Sequence, residues 1–317
     1  MAMGDNVTKL GTLESILGKE AVKSILYDAY GNSIVGSLAG NTPMPITGTS
    51  IAFATGTPVA GVVGEGELKP VIKQTVGTKS VKPIKVAAVM YWSKEARQAD
   101  KVGYMNLLKT SAKDAITRAI DMAVIHGKNA MNNSTISGVE YIAQSTNIVT
   151  LGTAAANAGG LTADILAGYE LVLDDKGKMT GFAADDRMRI KLLKAVDTQG
   201  RPIFSSNARG GVNLADKMGD LLGFPVTYGE AVAGNLGAVA DSKIRLIGGA
   251  FKDNIKFGYV EGLTYRYTDT GIIQDGSVEV NLFQQNMEAF IVEAQFGWVI
   301  RDVNHFALYK EATTTEP

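Results

Sequence analysis

Val62-Val63-Gly64-Glu65-Gly66-Glu67-Leu68-Lys69-Pro70 is the most informative stretch of the chain. It sits inside an alternating, glycine-rich run from residue 51 to residue 86 that holds β-branched residues but few large apolar ones. Such a run predicts a long two-stranded hairpin. A ribbon of this composition buries little surface of its own and is marginal in water unless something covers it. Its charges are Glu65 and Glu67 against Lys69, Lys73, Lys79, Lys82 and Lys85, a mixture suited to ion pairs with a neighbour. The hairpin is expected to project from the body and to need a partner.

On the C-terminal side of the hairpin, residues 84–92 predict a hydrophobic strand that leads into a helix over residues 103–128. Leu108, Ala112, Ala115, Ile116, Ala119, Ile120 and Ala123 recur at three- and four-residue steps and form its apolar stripe. Lys109, Lys113, Asp114, Arg118 and Asp121 are assigned to its solvated face. Gly127 is a natural stop. On the N-terminal side, residues 12–30 carry a first helical stripe with Thr12 as N-cap. Residues 31–49, rich in Gly, Pro and small polar side chains, predict extended chain.

Residues 129–160 read as a polar connection, and a new unit starts at residue 161. It holds helices over 163–173 and 185–196, a segment 179–183, a turn at 197–200 and a polar loop at 205–213. Short strand-like pieces follow at 222–228, 244–247, 254–259 and 263–267, and 288–301 and 306–309 close the chain as β-rich segments. Helices and strands alternate without a regular βαβ rhythm, which predicts an α+β fold.

The 317 residues are 45% hydrophobic and 20% charged, a globular balance, with a formal net charge of −1. A sequence-independent nucleic-acid binder needs excess Lys and Arg, so that class is disfavoured, as is attraction to an anionic membrane. The absence of cysteine excludes disulfides, thiol nucleophiles and cysteine metal sites. No apolar run reaches the roughly 20 residues that span a bilayer, and no secretory signal is visible. The expectation is a soluble protein, cytoplasmic when made, with no membrane partner.

Chemistry is sparse. The two histidines, His126 and His305, lie far apart and fit no metal-ligand spacing. Gly31 to Ser37 lacks the lysine of a phosphate loop, and Gly64-Glu65-Gly66 lacks the third glycine and helix of a dinucleotide site. The acidic pairs Asp174-Asp175 and Asp185-Asp186 fall at predicted helix ends, where ending or capping a helix accounts for them. No catalytic, cofactor-binding or metal-binding residue is predicted, and the chain is expected not to be an enzyme.

Five segments, in order, resemble the major capsid proteins of tailed phages, the Hong Kong 97-type fold. Residues 62–70 are similar to that family's Glu-Gly-x-x-Lys-Pro signature in the extended hairpin, the E-loop. The strand at 85–93 and the helix 103–128 resemble the entry into its spine helix. Leu192 to Phe204, with Gly200-Arg201, Leu221 to Val226, and Phe283 to Asn286 with Glu293 are similar to later segments. The resemblance covers about residues 43–309.

It implies an N-terminal arm over 1–42, an entry to the P domain at 43–50, the E-loop at 51–84 and a P domain with spine helix at 85–160. The A domain follows at 161–275, P-domain return strands at 276–312 and a tail at 313–317. It implies homo-pentamers and homo-hexamers that close into an icosahedral head around double-stranded DNA, held without sequence specificity. The implied location is the virion capsid, assembled in the bacterial host cytoplasm.

By the same resemblance Glu65, Glu67, Lys69, Lys73 and Lys79 are inter-subunit contacts, and Ser205, Ser206, Asn207 and Arg209 lie near the capsomer centre. Some members of the family cross-link a hairpin lysine to a P-domain asparagine with a glutamate as base. Asn286 and Glu293 stand at matching positions, whereas the lysine position falls on Thr78 with Lys79 beside it. The chain reaches its arm at once, so a separate scaffolding protein is expected, with portal and decoration proteins as further partners. The alternatives are an encapsulin-type nanocompartment shell and, in another class, a cytoplasmic enzyme. A neighbouring terminase or portal gene favours the phage reading, a cargo-enzyme gene the encapsulin.

Overall fold

The computed structural model describes residues 33–39, 41–44, 48–55, 58–72, 75–81, 83–99, 104–204, 218–260 and 264–312. The expectations for residues 12–30, for Lys73 and Lys82, and for the loop with Ser205, Ser206, Asn207 and Arg209 lie outside the described residues.

The described residues begin with a short helix α1 (Ile34–Ala39), strand β1 (Asn41–Met44) and the hairpin β2 (Thr49–Thr55) and β3 (Thr75–Val81). Strand β4 (Ile84–Ser93), a short helix α2 (Lys94–Gln98) and the long helix α3 (Tyr104–His126) follow. Then come β5 (Ile148–Leu151), α4 (Gly160–Asp174), β6 (Gly181–Ala184), α5 (Asp186–Lys194), β7 (Met218–Leu221), β8 (Phe224–Tyr228) and β9 (Ile244–Gly249). The chain ends with α6 (Phe251–Asn254), β10 (Ile255–Val260), β11 (Thr264–Thr268), β12 (Ile272–Asp275), β13 (Val278–Asn281), β14 (Met287–Ile300) and β15 (Phe306–Glu311).

Strand β14 organises the first half of the body. It pairs antiparallel with β4 along one side and with β11 and β10 along the other, while β1 adds parallel to β10. Its even-numbered residues Phe290, Val292, Ala294, Phe296, Trp298 and Ile300 share one core with Ala112, Ile116, Ile120 and Ala123 of α3. The 3.6-residue stripe of the helix thus meets the two-residue period of the strand. Two assignments made from the helical pattern are corrected: Ala115 is exposed, and Asp121 is buried. Residues 34–39, expected as extended chain, form α1 instead, because Asp121 caps it from the distant α3.

At the end of α3 Gly127 takes a φ of +64°, and a Cβ there would collide with the ring of Tyr141. Glycine is the residue that accepts both conditions.

The second sheet has the order β5-β15-β9-β6-β8-β7. On one face Phe182, Leu246, Ala307 and Tyr309 pack under Ile165 and Val172 of α4 and Met188 and Leu192 of α5. Alternate residues Ala183, Ile247 and Leu308 point the other way into the core that α3 shares. Gly168 leaves room for Tyr309, whose hydroxyl donates to the Ile165 carbonyl at 2.8 Å.

Sheet membership shifts the expected division at two places. Residues 255–260 and 264–268, placed with the second unit by sequence, form β10 and β11 of the first sheet; β15, placed with the first, inserts between β5 and β9 of the second. A strand of four to six residues does not announce which sheet it joins, because pairing is decided by partners far along the chain.

Candidate assembly interface

The hairpin β2–β3 pairs from Thr49 with Val81 to Thr55 with Thr75, and residues 58–72 continue beyond it as a strandless tip. Gly66, at φ +82°, makes the turn there. Glu67 donates its backbone N–H to the Gly64 carbonyl at 3.2 Å, and its carboxylate accepts the Gly64 N–H at 3.1 Å. Glu67 therefore closes its own turn, whereas Glu65 and Lys69 are exposed.

The tip presents apolar side chains to solvent. Val62 and Leu68 are about fully exposed, at 106% and 97%, and Val59, Val71 and Val76 are at 79%, 86% and 60%. Scattered single apolar residues are ordinary on a surface, but a succession along one projecting ribbon marks an interaction surface. The charge count of this segment singled out its ionic residues, and these apolar ones were missed. Their signal was present in the sequence as β-branched residues in a ribbon with no core to enter.

Lys79 is committed at the hairpin's root. Its Nζ donates to both carboxylate oxygens of Glu140, at 2.8 and 2.6 Å, and to the Ile300 carbonyl at 2.8 Å. Glu140 is itself fixed, since its carbonyl accepts the indole N–H of Trp298 at 2.7 Å. Thr78, next to Lys79, is exposed and pairs with Ala52.

Asn286 precedes β14 with a φ of +53° and donates its amide to Glu95 at 2.8 Å. Glu293 lies on the β14 face away from α3 and pairs with Lys85 at 2.7 Å. Asn286 and Glu293 are seven residues apart along the strand, roughly 23 Å at ~3.3 Å per residue. Lys79 sits against Ile300, fourteen residues from Asn286, or roughly 45 Å by the same rise. Within one subunit these three residues are not brought together, and the carboxylate beside Asn286 is Glu95.

Two polar clusters stiffen the body. The buried Glu288 accepts the Trp92 indole N–H at 3.3 Å, pairs with Arg97 at 3.1 Å, and accepts the Tyr267 hydroxyl. Burial, then the bond to Glu288, pushes Tyr267 well above the usual phenol range. In the second sheet Arg245, 2% exposed, reaches Asp185 at 3.1 Å, Asp241 at 2.9 Å and Glu311 at 2.9 Å. Burial raises Asp241, but hydrogen bonds from Arg245, the Lys243 N–H and Arg187 outweigh it and hold the carboxyl below the usual range. This cluster ties the last strand β15 to β9 and to the start of α5. Asp185 thus stands at a helix end as expected, while its carboxylate also serves Arg245.

His126 is buried, with Nε2 3.0 and 3.1 Å from the carbonyls of Ala231 and Val232, and burial lowers its pKa. His305 lies 3.1 Å from the Asp175 carbonyl. Among the described residues no group of His, Asp and Glu is gathered to hold a metal ion, and no helix is long and apolar enough to cross a membrane.

A projecting, under-packed hairpin on a two-sheet body with one long helix is the arrangement of a shell subunit, and sequence comparison agrees. The model of the phage capsid family matches residues 25–310. The chain belongs to the phage capsid family. A protein of Mycobacterium phage D29 described as a probable major capsid protein is 27% identical over 307 residues, covering 96% of this chain and 91% of the relative. The counterpart from Mycobacterium phage L5 is 28% identical over 313 residues, with 96% and 91% covered. A solved structure from Gordonia phage Cozz superposes with a TM-score of 0.74 at 28% identity, over 89% of this chain and 87% of that one. The fold is the Hong Kong 97-type capsid fold, and the function of this phage capsid family member is that of a major capsid protein of a tailed phage, assembling into shell oligomers.

Proposed function

We propose that the subunit builds homo-pentamers and homo-hexamers that close into an icosahedral head around double-stranded DNA, and that the hairpin is the strap between neighbours. The observation that carries this reading is the exposed apolar series Val59, Val62, Leu68, Val71 and Val76 on a ribbon with no core of its own. Burying Val or Leu is worth about 1.5–3 kcal/mol each, so a strap with several such anchors stabilises each contact by several kcal/mol. Contacts of this size add through closure of a ring and a shell. Glu65, Lys69 and Lys73 form the polar rim of the contact, Glu67 keeps the tip turned, and Lys79 sets the angle at the root.

The five-stranded sheet with α3 serves as the P domain, the six-stranded sheet as the A domain, and residues 1–32 as the arm. Ser205, Ser206, Asn207 and Arg209 belong to the sequence between Phe204 and the edge strand β7 of the six-stranded sheet, and that neighbourhood favours a place near the capsomer centre. Asn286 and Glu293 serve contacts within and between subunits rather than a covalent link, and the chain catalyses no reaction. A separate scaffolding protein, a portal and a decoration protein complete the particle, which is assembled in the host cytoplasm.

The test mixes 14N- and 15N-labelled subunits during assembly and treats the particles with a lysine-reactive cross-linker. Links from Lys69 are expected as mixed-isotope pairs. Links from Lys69 that are only light–light and heavy–heavy would place the hairpin on its own subunit and overturn the strap.

A further inference from the structure

The helix layer on the second sheet carries two surfaces that the subunit does not bury. α4 and α5 turn their inner faces to that sheet, through Ile165 and Val172 and through Met188 and Leu192. The outer face of α4 is a stripe. Leu166, Ala167, Glu170, Leu173 and Asp174 are all exposed, at the spacing that keeps them on one side of a helix. Leu166 and Leu173 are each about half exposed. A helix that only covers a sheet carries polar residues on its outer side. The two carboxylates are also misplaced for the helix itself. Asp174 ends α4 and Glu170 lies one turn before it, near the end whose dipole favours cations.

The other surface is a cleft of about 330 Å³ where the start of α4 meets the end of α5. Leu161, Ala195, Val196 and Ile203 give it apolar walls, and Lys191 and Lys194 complete its lining. Lys191 is held by Glu311 at 2.6 Å, whereas Lys194 is exposed. The cleft is therefore apolar with a cationic rim, and the stripe is apolar with an anionic one. The cleft has room for a leucine side chain. Leu161 and Asp174 stand at opposite ends of α4, roughly 20 Å apart at ~1.5 Å per residue, so the stripe does not reach the cleft of its own chain.

We propose that the α4 stripe of one subunit docks on the α4–α5 cleft of a second copy, with Leu173 in the cleft and Glu170 and Asp174 against Lys194. This rests on the shell reading above and gives the shell a contact independent of the hairpin. The two halves of the contact are different surfaces, so the pairing is head to tail. Each docked subunit still offers one free half, and the contact propagates around a ring instead of stopping at a dimer. The leucine supplies the affinity and the charges set the register. Lys176 and Lys178, exposed in the turn after α4, would face Lys194 if the stripe slid further along, and that repulsion disfavours the slip.

The test is carbodiimide coupling, which joins an amine to a carboxylate without a spacer, on particles assembled from mixed 14N- and 15N-labelled subunits. Mixed-isotope links from Lys194 to Asp174 or Glu170 are expected. Particles that form without such links, or with light–light and heavy–heavy links only, would overturn this contact and leave the shell reading standing. Failure of any particle to form would count against the shell reading, and the contact would fall with it. Charge reversal gives a second readout. Asp174→Lys and Lys194→Glu are each expected to raise the subunit concentration needed for assembly several-fold, and the doubly reversed chain is expected to recover most of that loss. A lysine suits the end of α4 better than an aspartate, so the loss in Asp174→Lys is not a weaker fold. Losses that simply add in the doubly reversed chain would overturn the pairing.

Discussion

Replacing Leu68 by Ser removes one of the two largest exposed apolar side chains of the hairpin tip. Leu68 is 97% exposed in the subunit, so its loss costs the isolated body almost nothing, within the ±0.5 kcal/mol usual for surface changes. In the proposed strap the same side chain is buried on a neighbour, where a leucine is worth about 2 kcal/mol. Each subunit contributes one strap, so the stability per subunit falls by about 2 kcal/mol. With 1.4 kcal/mol per factor of ten, the subunit concentration needed for assembly rises about 30-fold. Sedimentation velocity across a dilution series reads this threshold, and thermal melting of the dissociated subunit reads the body. An unchanged threshold would refute the strap. So would a lowered subunit melting temperature large enough to explain the loss, because it would place Leu68 in the fold of its own chain.

Three further outcomes follow from the body. Arg245→Met leaves Asp185 and Asp241 with only the half-exposed Arg187 as a cation, and a loss of about 3 kcal/mol in chemical denaturation is expected; a neutral result would mean the cluster is not closed in solution. Gly127→Ala sets a Cβ against Tyr141 at a positive φ, and destabilisation beyond about 1 kcal/mol is expected from the same assay. Asp241 is held below its ordinary range, so its contribution is present above about pH 4 and lost as pH falls further; Asp241→Asn should flatten that part of an acid titration of stability.

The long elements were legible in the sequence for a physical reason: they are periodic. α3 and β14 carry their apolar faces at the periods of a helix and a strand, and the hairpin showed itself by having β-branched residues with nothing to bury. The short strands were not legible. β5 is four residues inside a polar stretch and exists because β15, about 160 residues later, pairs with it. The hairpin β12–β13 was missed for the same reason: four-residue strands carry too short a pattern. α1 looked like a loop because its glycine and serine are poor helix formers, and the cap that compensates them is Asp121. That aspartate was assigned to solvent because polarity alone does not say what will cover a side chain. At the candidate interface the order of motifs identified the right hairpin, but charge drew attention to Lys79, whose side chain is spent on Glu140, and away from Leu68.

Electron microscopy of the purified protein, alone and co-expressed with a candidate scaffolding protein from the same genome, tests the shell-forming role most directly. Closed shells, or rings of five and six subunits, are the expected particles. A uniform small particle under both conditions would contradict the account.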